Sequence, residues 1–213
     1  MKHAAEIIDV FGPFPDAEAV HGVSFDGRHV WVATGERLNA VDPDSGKVLR
    51  VLDVAADAGT AFDGTHLFQI AKSVIHKIDP QTGAILAKIP APGAEEASGL
   101  AWSEGTLWVG QYRNRTIHQI DPETGAVLRT LQSDRFVTGV TWVEGELWHG
   151  TWEEGHSDIR RVDPDSGELL DCLEMPEDIG VSGLESDGAD RFFCGGGKSA
   201  TLRVVRRVSS AAD

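Results

Sequence analysis

The stretch from Ser98 to Leu131 reads SGLAWSEGTLWVGQYRNRTIHQIDPETGAVLRTL and decides the fold, because it is one copy of a unit that recurs along the chain. The clearest mark of the unit is an apolar residue followed by Asp-Pro-x-[Ser/Thr]-Gly. This mark occurs at 41–46, 78–83, 120–125 and 162–167, with its Asp residues 37, 42 and 42 positions apart. A repeat of this length is typical of a solenoid, a propeller or a similar array.

The Asp-Pro mark predicts a turn that joins the third and fourth strands of each unit. Asp accepts backbone N–H bonds, Pro fixes φ, and Gly takes the left-handed position that closes the loop. Calcium binding is the alternative, because Asp42-x-Asp44-x-Gly46 is similar to part of a cation loop. In the second unit Gln81 occupies the position of Asp44, so the repeat does not keep this carboxylate, which favours the structural turn over calcium binding.

Each unit is predicted to form four short strands, because apolar positions alternate and turn signals are dense without a helical period. The first strands are expected near 22–25, 59–62, 99–102, 139–142 and 183–186. The second strands carry an aromatic residue at one repeated place, which we expect to pack between neighbouring units. These aromatic residues are Trp31, Phe68, Trp108, Trp148 and Phe193.

The fifth unit ends early, since Arg206 stands where the Asp-Pro turn should begin. Residues 5–11 fit the missing fourth strand, and an N-terminal strand that completes the last sheet removes exposed edges. The sequence therefore predicts an all-β fold, a five-bladed β-propeller with four antiparallel strands per blade, as a single domain over 1–213. The expected blades are approximately 20–54, 57–91, 97–132, 137–174, and 181–208 plus 5–11.

Composition narrows the classes of partner. With 19 Lys and Arg against 34 Asp and Glu, the formal charge of −15 disfavours nucleic acid. No signal peptide or 18-residue apolar run is seen, so no membrane partner is expected. Cys172 and Cys194 form no CxxC pair, so a protein with reduced cysteines in the cytoplasm is predicted. We expect a monomer or a weak homo-oligomer.

A functional site is expected where the loops between second and third strands meet the entries to the first strands, opposite the glycine hairpins. Tyr112 and Trp152 are predicted as pocket walls, and Lys72, Arg113 and Lys198 as positive groups. The fourth unit adds the acidic residues Glu153, Glu154 and Asp158, together with His156. These residues favour a small polar ligand, anionic or zwitterionic, while a solvated rim of mixed charge is the alternative.

Two titratable residues near the predicted axis are candidates for catalysis. His21 precedes the first-strand glycine where other units have Ala58, Ser98, Thr138 and Ser182, and it is either a packing residue, a base or a metal ligand. Glu185 stands where other units have small residues, so its carboxylate needs a partner. Because blades V and I adjoin, the two are predicted as a catalytic acid–base pair, with a structural ion pair as rival. The sequence also leaves open a divalent metal ion bound in the central channel.

Other polar residues fall within strands. His149 stands where other units have Val32, Gln69, Val109 and Cys194, and it is expected either to join a site with Trp152 or to lie in the core. A set of third-strand residues is expected to be exposed. Its members are Asn39, His76, His118, Arg160 and Arg203.

The repeats, with GLAW, GTLWVG and TIHQIDPETGAVL, resemble the glutamine cyclotransferase family of plant-type glutaminyl cyclases and, more distantly, the streptogramin lyases. The resemblance implies five blades and a lyase, cyclotransferase or lactonase-like enzyme. Where that family carries Gly-Glu-Gly, this chain has Ala58-Gly59-Thr60, and where the family carries a second glutamate, this chain has Thr138-Gly139-Val140, so neither place holds a carboxylate. A non-catalytic propeller that binds a ligand or protein is the alternative.

Overall fold

The computed structural model describes residues 2–93, 96–196 and 199–207, and within these residues the secondary structure is strands joined by turns and loops, without a helix. Two short strands come first, β1 (Lys2–Ala4) and β2 (Ile7–Phe11). Blade I contains β3 (Gly22–Phe25), β4 (Val30–Ala33), β5 (Gly35–Val41) and β6 (Val48–Ala56). Blade II contains β7 (Thr60–Phe62), β8 (Leu67–Ala71), β9 (Val74–Ile78) and β10 (Ile85–Pro90).

The remaining strands form three further blades. Blade III contains β11 (Ala97–Ser103), β12 (Thr106–Gln111), β13 (Thr116–Ile120) and β14 (Val127–Gln132). Blade IV contains β15 (Phe136–Val143), β16 (Glu146–Trp152), β17 (Asp158–Val162) and β18 (Leu169–Glu174). Blade V contains β19 (Leu184–Ser186), β20 (Arg191–Cys194) and β21 (Leu202–Arg206). The five-bladed propeller predicted from the repeat is confirmed.

The N-terminal strand completes blade V. Strand β2 pairs antiparallel with β21, with Phe11 opposite Leu202 and Val10 opposite Arg203. One strand was not expected from the sequence, because β1 adds to the outer edge of blade IV in parallel with β18. Lys2 supports that pairing through an ion pair from its Nζ to Glu174 Oε1 at 2.8 Å. The N-terminal segment therefore adds one strand to blade IV and one strand to blade V.

Five glycines close the ring, one in or directly before the first strand of each blade. A Cβ atom added to Gly59 would lie 2.5 Å from the backbone N of Leu100 in blade III, and one added to Gly183 would lie 2.6 Å from that of Val23 in blade I. Such distances are below any tolerable contact, so only glycine permits this approach. The ring of glycines, as we name it, consists of Gly22, Gly59, Gly99, Gly139 and Gly183.

Aromatic residues pack between the blades, as predicted. Trp108 and Trp142 stack with ring centroids 5.3 Å apart, and Trp148 lies 5.0 Å from Phe192 of blade V. Both Trp108 and Trp148 are almost fully buried. Burial of an aromatic side chain contributes a few kcal/mol, about 25 cal/mol per Å² of apolar surface, so these contacts stabilise the ring.

The Asp-Pro turns use their carboxylates internally. Asp42 Oδ1 accepts from the backbone N of Ser45 at 2.8 Å and from its hydroxyl at 2.7 Å, while Gly46 has a φ of +69°. Asp121 and Thr124 repeat the arrangement in blade III. The structural turn is therefore the observed role of the motif.

The expectation that the polar residues of the third strands are exposed is wrong. Asn39, His76, Arg160 and Arg203 are each only 8% exposed, and His118 is partly buried. The neighbouring blade covers this face of each third strand, which a single repeat does not reveal. In the part of the chain that the structure describes, no helix could cross a membrane.

Candidate functional site

A cavity of about 280 Å³ lies at one end of the propeller axis, and we call it the axial mouth. The residues that precede the ring glycines all line it. They are His21, Ala58, Ser98, Thr138 and Ser182. Asp57, Ala97 and Tyr112 complete the lining. The first strands therefore bring one variable side chain from every blade to a single small space.

His21 is partly buried in the wall of the axial mouth. Its backbone N donates to Ala33 O at 2.8 Å, which fixes its place beside strand β4. Burial lowers the pKa of His21 below its usual value, and the negative charge of Asp57 opposes that shift. At neutral pH the imidazole is therefore uncharged and able to accept a proton.

The hydroxyl groups of the axial mouth differ in their partners. Ser98 Oγ donates to Val137 O at 2.8 Å, and Ser182 Oγ donates to Val20 O, so each serine ties its blade to the next. Thr138 is 8% exposed, and its Oγ1 is buried without a hydrogen-bond partner in the described structure. An unpaired buried hydroxyl carries a desolvation penalty that a bound polar group can remove.

Tyr112 forms an aromatic wall of the axial mouth. Its ring stacks on that of Phe136, with the two ring centroids 4.8 Å apart. The Arg115 guanidinium lies over the Phe136 ring, 4.4 Å from its centroid. Burial, followed by the negative charge of Glu153, raises the pKa of Tyr112 above its usual value. The phenol therefore stays protonated at neutral pH and can donate a hydrogen bond.

Asp57 is a charged residue of the axial mouth that sequence reasoning missed. Its equivalents in the other blades are apolar, namely Val20, Ala97, Val137 and Val181. Comparison of this one repeat position could have found it. Asp57 Oδ1 accepts from the backbone N of Lys72 at 3.3 Å, and both residues line an adjoining hollow of about 210 Å³. Asp57 therefore lies between the axial mouth and this hollow, and the exposed Lys72 lines only the hollow.

Arg113 and Trp152 do not line the axial mouth, and Lys72 lines only the adjoining hollow. Arg113 is exposed, and its Nη1 lies 3.9 Å from Glu96 Oε1. Trp152 ends strand β16 opposite Phe136 and is partly buried. The predicted anion-binding residue Lys198 lies outside the described residues.

His21 lines the axial mouth and Glu185 does not, although their blades adjoin as expected. His21 comes one residue before Gly22, whereas Glu185 comes two residues after Gly183, so they lie on opposite sides of the ring of glycines. Glu185 Oε1 accepts from the Thr141 hydroxyl and from the backbone N of Ser186 at 2.8 Å. Burial raises the pKa of Glu185 to about 7.

His149 also lies away from the axial mouth. It is 2% exposed, and it lines a separate cleft between blades III and IV together with Arg160. Among the residues that the structure describes, no group of three or more His, Cys, Asp or Glu side chains forms a metal-binding arrangement. The divalent metal in the channel stays an untested prediction.

Solved structures share the propeller fold. The chain is similar to the crystal structure of glutaminyl cyclase from Myxococcus xanthus, with a TM-score of 0.77, 17% identity, and coverage of 98% of this chain and 99% of that one. It is also similar to a chain of the mitotic checkpoint complex, with a TM-score of 0.60, 13% identity, and coverage of 95% and 92%.

A third structural relative is hydrazine synthase from Kuenenia stuttgartiensis, with a TM-score of 0.52, 18% identity, and coverage of 84% of this chain and 56% of that one. The sequence matches no protein-family model and no curated protein. At these identities the structural likeness shows the fold alone.

Proposed function

We propose that the chain is an enzyme that acts on a small polar substrate in the axial mouth, by the kind of proton transfer that a cyclisation or an elimination requires. The observation that carries this proposal is the shared lining of one cavity by His21, Asp57, Tyr112 and Thr138. Proton acceptors and donors close together around a small concavity are the usual ingredients of general acid–base catalysis.

Each residue has a role that follows from its state. His21 serves as the base, because its lowered pKa leaves it neutral at pH 7. Tyr112 supplies a protonated hydroxyl and an apolar wall, and the unpaired Thr138 hydroxyl binds a polar atom of the substrate. Asp57 and Lys72 suit a zwitterionic substrate, since one attracts an ammonium group and the other a carboxylate.

The glutaminyl cyclase that shares this fold suggests the form of the reaction. In such a cyclisation, a substrate amine attacks the carbon of a side-chain amide, a C–N bond forms, and ammonia leaves as the original C–N bond breaks. His21 would take the proton from the attacking amine and return it to the departing nitrogen. The products are a lactam and ammonia, and no oxidant or reductant is needed.

Release of ammonia from a dipeptide with N-terminal glutamine is the direct test. We expect turnover by the wild type, a loss of about 100-fold or more in kcat/KM for His21→Asn, and a smaller loss for Tyr112→Phe. The rate should fall as the pH drops through the pKa of His21, because the protonated imidazole cannot accept a proton. Ligand binding is followed in parallel through the NMR signals of the His21 ring.

His118→Asn is the matched control, because Asn39 occupies the equivalent position in blade I and His118 bonds Thr130 Oγ1 at 2.7 Å within its own sheet. It should leave turnover unchanged. Full activity in His21→Asn would contradict the assigned base. A wild type whose His21 signals shift on binding without release of ammonia would indicate the alternative, a propeller that binds a ligand without this catalysis.

A further inference from the structure

A second cavity, of about 240 Å³, lies between blades III and IV, and we call it the interblade cleft. Ile117 and Leu131 of blade III form one apolar wall, and Val162 of blade IV lies among the residues opposite. His149 and Arg160 line the same space. The cleft shares no lining residue with the axial mouth, so its chemistry can be considered separately.

His149 offers a hydrogen-bond acceptor to the interblade cleft. Its Nδ1 lies 3.3 Å from Gly150 O, and because a carbonyl oxygen can only accept, Nδ1 carries the proton. The other ring nitrogen, Nε2, therefore holds a lone pair, and it has no partner among the described residues. Burial lowers the pKa of His149 to about 4, so the ring stays neutral at physiological pH.

Arg160 offers a donor beside that acceptor. His149 and Arg160 are directly opposite on strands β16 and β17, so their side chains lie next to each other on one face of the sheet. The Nε of Arg160 donates to Asp158 Oδ1 at 2.8 Å, and its Nη1 donates to Asp134. The remaining nitrogen, Nη2, has no hydrogen-bond partner within the described part of the chain.

The charges around the cleft balance, which selects against an ionic ligand. The charged residues of the lining, Arg160 and Asp134, pair with each other. Asp158, outside the lining, accepts from both Arg160 Nε and Arg135 Nη1. A further anion or cation would enter a site with no free countercharge, and its desolvation would be uncompensated. A neutral molecule avoids this penalty.

We propose that the interblade cleft is a second binding site, for a small neutral amide whose N–H donates to His149 Nε2 and whose carbonyl accepts from Arg160 Nη2. A short branched aliphatic group of the ligand would pack against Ile117, Leu131 and Val162. The adjacent acceptor and donor of the protein match the adjacent N–H and C=O of an amide. The cavity is smaller than typical drug-binding pockets, which fits a ligand of fragment size.

Isobutyramide is the probe, and the methyl NMR signals of Ile117 and Leu131 in the full chain report its binding. We expect saturable shifts at millimolar concentrations. His149→Val, which places in blade IV the residue found at Val32 and Val109, should weaken binding about tenfold, the effect of one lost hydrogen bond. His149→Gln, which follows Gln69 of blade II, keeps an acceptor and should retain most of the affinity.

Three results would overturn the proposal. These are an absence of saturable shifts in the wild type, equal affinity of the wild type and His149→Val, and isobutyrate binding as tightly as isobutyramide. His21→Asn should leave isobutyramide binding at the cleft unchanged, so failure of the proposed activity at the axial mouth and failure of this second site are distinguishable.

Discussion

The partly buried carboxyl group of Glu185 should make the stability of the propeller depend on pH in an unusual direction. Its hydrogen bonds come from Thr141 and the backbone N of Ser186, and burial raises its pKa to about 7 from the ordinary 4.5. The native state therefore holds this proton more tightly than the unfolded chain does. Stability contributed by Glu185 is fully present below pH 4.5 and is lost as the pH rises towards 7.

The magnitude follows from the two pKa values. A rise in pKa from 4.5 to about 7 corresponds to about 3 kcal/mol of unfolding free energy. Most of this contribution, roughly 2 to 3 kcal/mol, is lost between pH 5 and pH 8.5. Glu185→Gln keeps a neutral polar side chain of the same size that cannot ionise. Relative to the wild type, this variant should therefore gain roughly 2 to 3 kcal/mol of unfolding free energy across that interval.

Urea unfolding of both proteins at several pH values measures the difference. Glu123→Gln is the control, because Glu123 lies exposed in an Asp-Pro turn, and its difference from the wild type should not change by a comparable amount. If the difference between Glu185→Gln and the wild type stays constant from pH 5 to pH 8.5, the inferred burial of an ionisable group at the axis is wrong.

Two further predictions concern closure of the ring. Gly99→Ala should lower the unfolding free energy by several kcal/mol or prevent folding, because its Cβ would lie 2.5 Å from the backbone N of Val140. Gly64→Ala is the control, because Gly64 lies in a hairpin with open space around it, and its φ of +94° should cost only about 1 kcal/mol. If urea unfolding shows equal losses for Gly99→Ala and Gly64→Ala, the ring of glycines is not the contact that closes the propeller. Deletion of residues 1–11 removes β2 and should expose β21 to proteolysis, and a peptide of residues 5–11 added in excess should restore protection. A deletion variant that resists proteolysis as well as the full chain would show that β2 does not stabilise blade V.

The fold could be predicted from the sequence because its determinants are local and recur. The turn that begins at Asp42 needs only its own residues, and the same set appears in three later units. The missing turn at Arg206 and the strand pattern at 5–11 together indicated closure by the N-terminus. Strand β1 escaped prediction, since three residues carry no pattern and its pairing with β18 depends on where the chain enters the ring.

The candidate site depended on the tertiary structure. Sequence alone predicted that blades I and V adjoin, but His21 and Glu185 are offset by three residues relative to the ring of glycines. At about 3.3 Å per residue this offset is about 10 Å along the axis, enough to separate them. The positions of Asp57 in the axial mouth and of His149 in the interblade cleft were not predicted either. Both cavities are lined by residues of more than one blade. Repeats fix the shape of each unit, whereas the contacts of a side chain depend on how the units pack around the axis.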